Sequence, residues 1–295
     1  MLVTWKYRER NTILQKLDPR ARLIFMLCML FSIIQFWDLR VMLLFLAISL
    51  GQFRLARLTF RETRRAWILI GGFITFLALL AFVTGRGGTG VYTEEHVLFY
   101  LPSFTLPILG REIHFPITAE RIMFALSQMT RMLAISGLAI IIPYTIDPRL
   151  YGVTFRGLGL PDKFAYATDL AFRFVPTLGR DFSITLDAQK ARGYELERLE
   201  GGIVSQIRKL APLIVPVTIG AIVSGEEIAD AMDLRAFGVA PRTWLRKLTY
   251  QRQDKILIAI SVGVFLLSTV LSILGWGRFW VPDWLLRMAR TRVAR

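Results

Sequence analysis

Two short segments of this 295-residue chain carry side chains whose type and spacing suit contact with a partner. The first is Ala188-Gln189-Lys190-Ala191-Arg192-Gly193. The second is Ala231-Met232-Asp233-Leu234-Arg235-Ala236-Phe237-Gly238. Each sets one arginine near the end of a helical pattern, with glycine at or shortly after it. A cation is favoured at a helix C-terminus by the macrodipole. Glycine takes the left-handed conformation that stops the helix. The guanidinium left at the blunt tip can then fork onto a carboxylate. Either segment alone reads equally as an ordinary helix stop with a solvated arginine; two in one charged region weigh against that. Ala236 removes glycine from the second tip, so the backbone there is expected to stay helical, with Gly238 as the stop.

The remaining candidates are poorer. No Gly-x-x-x-x-Gly-Lys-Ser/Thr loop occurs, and the glycine-rich stretch from Gly85 to Gly90 lacks the following lysine. Bound nucleotide is therefore not expected, nor is any other cofactor. His96 and His114 have no nearby cysteine or clustered carboxylates, so they read as surface histidines rather than a metal site. Glu226, Glu227, Asp230 and Asp233 could act as acid and base. They read more simply as salt-bridge partners or as the solvated face of a helix. Arg131 falls inside an apolar run and is a functional candidate on that ground, against a buried pairing or a snorkelling side chain. Cys28 is the only cysteine, which excludes an internal disulfide.

The elements that must position these residues are membrane helices. The chain is 54% hydrophobic, and the apolar residues are clustered. Trp67 to Val83 and Ile256 to Trp276 carry no charge, and both approach the roughly 20 residues a helix needs to cross a bilayer core. In lipid the backbone must satisfy its own hydrogen bonds, so such runs are helices. The expected fold is an all-α polytopic membrane helix bundle. Four spans are expected within residues 1–144, at 23–37, 41–53, 67–83 and 123–143. The first two form a tight pair, because the arginine-rich loop from Arg54 to Arg65 belongs inside. Residues 84–118 read as an external loop or small hairpin. Residues 145–255 regain charge yet keep apolar stripes, such as Phe174, Leu178, Phe182 and Leu186 on one helix face. The uncharged centre from Leu210 to Gly225 is short for a span and contains Pro212 and Pro216. Residues 256–295 hold the last span and a basic tail whose side charge counting leaves open.

The net charge of +15 could serve nucleic acid, an anionic lipid surface or an acidic protein partner. Because the basic residues flank apolar spans, it fits positive loops retained inside the cell membrane, with membrane lipid as a partner, and nucleic-acid binding is not expected. No apolar leader precedes the first span, so the N-terminus is expected to be cytoplasmic.

The ordered motifs resemble the transmembrane T component of energy-coupling factor (ECF) transporters, the EcfT/CbiQ family. They run from Leu17-Asp18-Pro19-Arg20-Ala21-Arg22-Leu23 through Leu158-Gly159-Leu160-Pro161 and Phe172-Arg173-Phe174-Val175-Pro176. Ala188 to Gly193, Ala211-Pro212-Leu213, Glu226 to Met232 and Leu234 to Gly238 complete the series. The resemblance implies a cytoplasmic helical coupling domain at 145–255. It implies that Ala191-Arg192-Gly193 and Leu234-Arg235-Ala236 each dock on one of two ABC ATPase subunits. It also implies a small substrate-binding membrane subunit (S component), for which Val215, Ile219 and Arg131 are candidate binding or packing positions. Val215 and Ile219 could instead be buried on another coupling helix. The chain would then be a non-catalytic subunit for uptake of a vitamin or transition-metal ion, with ATP hydrolysis in its partners. The alternatives are a stand-alone permease, which calls for a polar pathway through the spans, and an intramembrane transferase, which calls for paired aspartates that the spans lack.

Overall fold

The computed structural model describes residues 7–84, 96–100, 104–106, 111–113, 116–194, 203–240 and 243–287. The helices are α1 (Ile13–Lys16), α2 (Pro19–Ile34), α3 (Leu39–Leu55), α4 (Phe60–Thr84), α5 (Ala119–Thr145), α6 (Tyr151–Gly157), α7 (Asp162–Ala191), α8 (Ile203–Leu234) and α9 (Arg252–Ile273). Four short strands precede α5: β1 (Val97–Tyr100), β2 (Phe104–Leu106), β3 (Arg111–Ile113) and β4 (Pro116–Thr118). They nest as an antiparallel hairpin, β2 on β3 and β1 on β4. The fold is an all-α polytopic membrane protein. Among the described residues, Phe60–Phe82, Ala119–Thr145, Leu210–Leu234 and Arg252–Ile273 are long and apolar enough to cross a bilayer. The stretch from Leu210 is thus longer than its proline-broken centre suggests, because α8 continues unbroken to Leu234. The residues expected to form the tight pair are helices α2 and α3, of 16 and 17 residues.

The chain divides into two compact units. One contains Arg8–Thr145 and Tyr250–Arg295, the other Met1–Tyr7 and Ile146–Thr249. The second junction falls earlier than the boundary expected at residue 255, because Tyr250 to Lys255 is used by the first unit. Arg20 stacks over the Tyr250 ring at 3.8 Å, and the buried Asp254 carboxylate holds two helix starts together. One of its oxygens accepts the Asp18 N–H at 2.8 Å and the other accepts the Gln251 N–H at 2.8 Å. Asp18 in turn caps α2, accepting the Arg20 N–H at 2.8 Å and the Arg20 guanidinium at 2.7 Å. That accounts for the Asp-Pro-Arg order: a capping carboxylate, a proline where no N–H is needed, and a cation to neutralise the cap.

The far ends of α2 and α9 also meet. The Trp37 and Asp38 N–H groups both donate to the Gly277 carbonyl, at 2.9 and 3.2 Å. These two helices are therefore parallel. α5 runs the other way, since its final carbonyl, on Thr145, accepts from Arg22 at 3.0 Å. A guanidinium at a helix C-terminus is favoured by the dipole. The α3–α4 turn is at this same end, where Arg10 donates to the Arg57 carbonyl and to Glu62, each at 2.6 Å. Tyr144 near the end of α5 donates to the Glu62 carbonyl at 3.3 Å. One end of the bundle thus collects the starts of α2, α4 and α9 and the ends of α3 and α5. The segment after α9 begins at the other end of the bundle.

The core of this unit joins Phe25, Met29, Ile33 and Phe36 of the α2 segment to Met42 and Phe45 of α3 and to Ala134 and Leu138 of α5. Arg131 is buried beside it. Its Nη2 donates to the Phe36 carbonyl, past the end of α2, and its guanidinium lies 4.0 Å from the Trp37 ring centre. Arg131 is thus a buried side chain with a backbone and an aromatic partner. His96 is also paired rather than a surface residue: its N–H and its Nδ1 each lie 2.8 Å from the carboxylate of Glu120 in the first turn of α5. His114 and Gly85 to Gly90 lie outside the described residues, as do Arg290, Arg292 and Arg295.

In the second unit, α6 and α7 form a hairpin through Leu158-Gly159-Leu160-Pro161. Gly159 has φ +97°. Its N–H donates to Arg156 at 2.9 Å while the Leu160 N–H donates to Phe155 at 3.1 Å, the paired bonds of a Schellman stop. Pro161 then opens α7. Helices α7 and α8, of 30 and 32 residues, pack on each other.

Candidate docking site at the helix tips

Helices α7 and α8 run antiparallel. Near the end of α7, the Gln189 side chain donates to the Pro212 carbonyl early in α8 at 3.3 Å. The first half of α7 meets the last turns of α8: Tyr166, Leu170 and Phe174 face Ile228, Met232 and Phe237 across a cleft of about 530 Å³. Phe174, Leu178, Phe182 and Leu186 are all half-buried, as expected of one inward stripe. Both arginines end their helices, so the antiparallel arrangement puts them at opposite ends of the pair. From Pro212 to Arg235, α8 rises about 35 Å at ~1.5 Å per residue, so the tips are separated by on the order of 30 Å.

The two tips have the same backbone. Arg192 is the C-cap of α7. The next residue, Gly193, has φ +83°. Its N–H donates to Lys190 at 2.9 Å and the Tyr194 N–H donates to Gln189 at 3.0 Å. Arg235 follows the last residue of α8, and Ala236 after it has φ +53°. The Ala236 N–H donates to Asp233 at 2.9 Å and the Phe237 N–H to Met232 at 3.0 Å. Each arginine thus occupies the cap of a Schellman stop, one residue before the left-handed position. The expectation that Ala236 stays helical is corrected: alanine itself turns the chain, and Gly238 (φ +90°) makes a second turn two residues on. The compensation is local. Phe237, fixed by the turn, packs on Tyr166 with ring centres 4.8 Å apart.

The surroundings of the tips differ. Ala191, Arg192 and Gly193 are exposed, with Tyr194 half-buried behind them. Arg235 and Ala236 are exposed, and exposed apolar residues lie near them in the chain: Leu234 is 90%, Val239 83% and Leu245 100% exposed. Leu234 was in view from sequence; Val239 and Leu245 were not, although apolar residues flanking a charged tip are the signal that could have pointed to them. Val215 and Ile219 are exposed on α8. Packing on another coupling helix of this chain is therefore not what they do. Arg131 belongs to the other unit. Glu226, Glu227, Asp230 and Asp233 are all exposed, which agrees with a solvated face. Among the described residues there is no group of three or more His, Cys, Asp or Glu that could hold a metal.

At the base of α7, Asp169 accepts the Gly152 N–H at 3.3 Å. Burial pushes its carboxyl above the usual carboxylate range, against the opposing pull of that N–H and of the Arg246 charge. A Cβ on Gly152 would approach the Ala165 carbonyl and the Asp169 carboxylate to 2.6 Å, so only glycine lets α6 lie this close to α7.

Comparison with known proteins adds to this geometry. A family model described as "Cobalt transport protein", CbiQ, matches residues 10–245. The energy-coupling factor transporter transmembrane protein EcfT of Staphylococcus aureus is 27% identical, over 93% of this chain and 98% of its own. That of Streptococcus equi is 28% identical, over 90% and 95%. That of Thermotoga maritima is 28% identical, over 89% and 91%.

Proposed function

This chain belongs to the EcfT/CbiQ family of transport proteins, as the transmembrane component of an ECF transporter, and from that premise we propose that it mechanically couples two ABC ATPase subunits to a small substrate-binding membrane subunit. Arg192 and Arg235 each enter one ATPase. The observation that carries this reading is that both arginines cap the same backbone motif at opposite ends of one antiparallel helix pair. Two rigid tips some tens of ångströms apart suit two copies of one kind of partner, and a guanidinium on a helix end suits a carboxylate. The exposed Val215 and Ile219 face takes the substrate-binding subunit. ATP hydrolysis belongs to the partners, and the cargo is a vitamin or a transition-metal ion. The N-terminus and the bundle end holding Arg10, Arg20, Arg22 and Arg57 face the cytoplasm, in keeping with the positive-inside rule. A stand-alone permease is disfavoured because Arg131 is already engaged by Phe36 and Trp37.

The deciding experiment is uptake by the reconstituted complex carrying Arg192→Glu and Arg235→Glu. Truncating one partner of a desolvated charge pair costs about 2–5 kcal/mol. Each single change should therefore impair uptake, and the double change should abolish it and release the ATPases while membrane insertion survives. Normal uptake with full ATPase retention in the double variant would return both arginines to the role of solvated helix ends.

The orientation is tested separately. Cysteines at Asp187 and Gly238, introduced after Cys28→Ser, should both react with an impermeant thiol reagent from the cytoplasmic side only. Reaction from opposite sides would make Leu210–Leu234 a span and remove the coupling domain.

A further inference from the structure

The first turns of α4 carry a charge cluster that the coupling reading does not use. Arg61, Arg64 and Arg65 are exposed there, and Arg54 and Arg57 are exposed at the adjoining end of α3. Among the described residues none of the five has an ion-pair partner. The one acid within the turn, Glu62, is already held by Arg10 at 2.6 Å and by Arg8 at 3.6 Å. Arg57 stands in the left-handed region, φ +49°, where glycine would be less strained. Five like charges are thus gathered with no acid among the described residues to neutralise them.

Their place on the helix says what would neutralise them. At 3.6 residues per turn, Arg61, Arg65, Ile68, Leu69 and Phe76 share one side of α4, with Arg64 and Phe73 at its two margins. The opposite side, with Thr63, Ile74 and Ala78, is buried in the unit. On the outer side Leu69 is 74%, Phe73 62% and Phe76 61% exposed. Gly71 and Gly72 interrupt this surface, and a Cβ at either would meet nothing within 4 Å, so they leave a notch below the arginines. The outward face is therefore cationic for its first turns and apolar for the rest. Its complement is a molecule with an anionic head and a long apolar tail.

We propose that this face is a binding site for an anionic phospholipid, the phosphate held by Arg61, Arg64 and Arg65 and an acyl chain lying along α4 past the Gly71–Gly72 notch. A zwitterionic lipid fits less well, because its ammonium group would be brought among unpaired guanidinium groups. The site is independent of the docking tips.

The test is native mass spectrometry of the full chain released from mixed phosphatidylglycerol and phosphatidylcholine micelles. The wild type should retain phosphatidylglycerol in preference. Arg61→Gln/Arg64→Gln/Arg65→Gln should lower that preference by about fivefold per arginine, on the order of a hundredfold in all. The corresponding triple lysine variant should keep most of it, which separates charge from misfolding. Millimolar inorganic phosphate should not displace the lipid; displacement would reduce the site to an anion site and overturn the lipid assignment. No headgroup preference in the wild type would also overturn it. So would a glutamine variant that keeps its lipid preference but loses its ATPases, which would make the cluster a protein interface.

Discussion

The two units differ in how they use charge. In the unit of α2 to α5 and α9, six charged side chains are buried and used inside the chain. Asp18, Arg20, Arg22, Glu120, Arg131 and Asp254 are all buried, and each meets a helix end, a carboxylate or a ring. In the unit of α6 to α8 no charged side chain is fully buried among the described residues; Asp169 is half-buried, and Glu226, Glu227, Asp230, Asp233 and the two tip arginines stand exposed. A buried charge must be partnered or it is severely penalised. An exposed one contributes little until a partner desolvates it. The first unit therefore uses its buried charges to fasten one helix to another and leaves the arginines of the α3–α4 turn at the surface, whereas the second pairs Arg156 with Asp162 at 2.6 Å and carries most of its other charges at the surface.

Matched substitutions would break this contrast if it is wrong. The largest difference is expected between Asp254→Leu and Asp230→Leu. The first orphans two N–H groups at buried helix starts and should cost about 2–5 kcal/mol. The second removes an exposed charge and should stay within about 0.5 kcal/mol. Thermal unfolding in detergent reads both, and equal shifts would sink the distinction.

A smaller difference separates two glycines. Gly277 has φ +76°, and a Cβ there would run into the Phe36 ring; Gly193 has φ +83° with nothing near. Gly193→Ala should cost about 1 kcal/mol from backbone strain alone, and Gly277→Ala about 1–3 kcal/mol more from overpacking. Chemical denaturation of the two variants would show it.

The smallest effect sharpens the comparison inside the second unit. Ala236→Gly relieves a left-handed alanine but frees the unfolded chain, for a net gain of about 0.5–1 kcal/mol. Slower amide exchange in the last turn of α8 would be its sign. Faster exchange would mean that the alanine methyl itself packs.

Much of this was legible in the sequence, for reasons particular to each element. Apolar runs without charge mark α4 and α9, because bilayer length and self-satisfied backbone leave little alternative. The tip arginines are visible as a residue type beside a stop signal. Ala236 misleads because left-handed backbone is usually written as glycine, and here the stop is held instead by the Phe237 and Tyr166 rings. The pairing of Asp18 with Asp254 is invisible to any local pattern, since the two residues are 236 positions apart. Arg131 could be singled out but not explained, because its acceptor is the backbone carbonyl of Phe36, 95 positions away.

That long separation has a consequence in time. Helix α2 enters the bilayer among the first elements made, but the carboxylate that anchors its start is synthesised 236 residues later. At the usual pace of about 5–20 residues per second, the nascent chain waits roughly 10–50 seconds for it. Throughout that interval the flank of α2 that α9 will cover has only lipid, or an insertion factor, against it. A ribosome stalled before Arg252 would therefore leave an inserted but unclosed bundle, recognisable to quality-control proteases by the place where its last helix belongs.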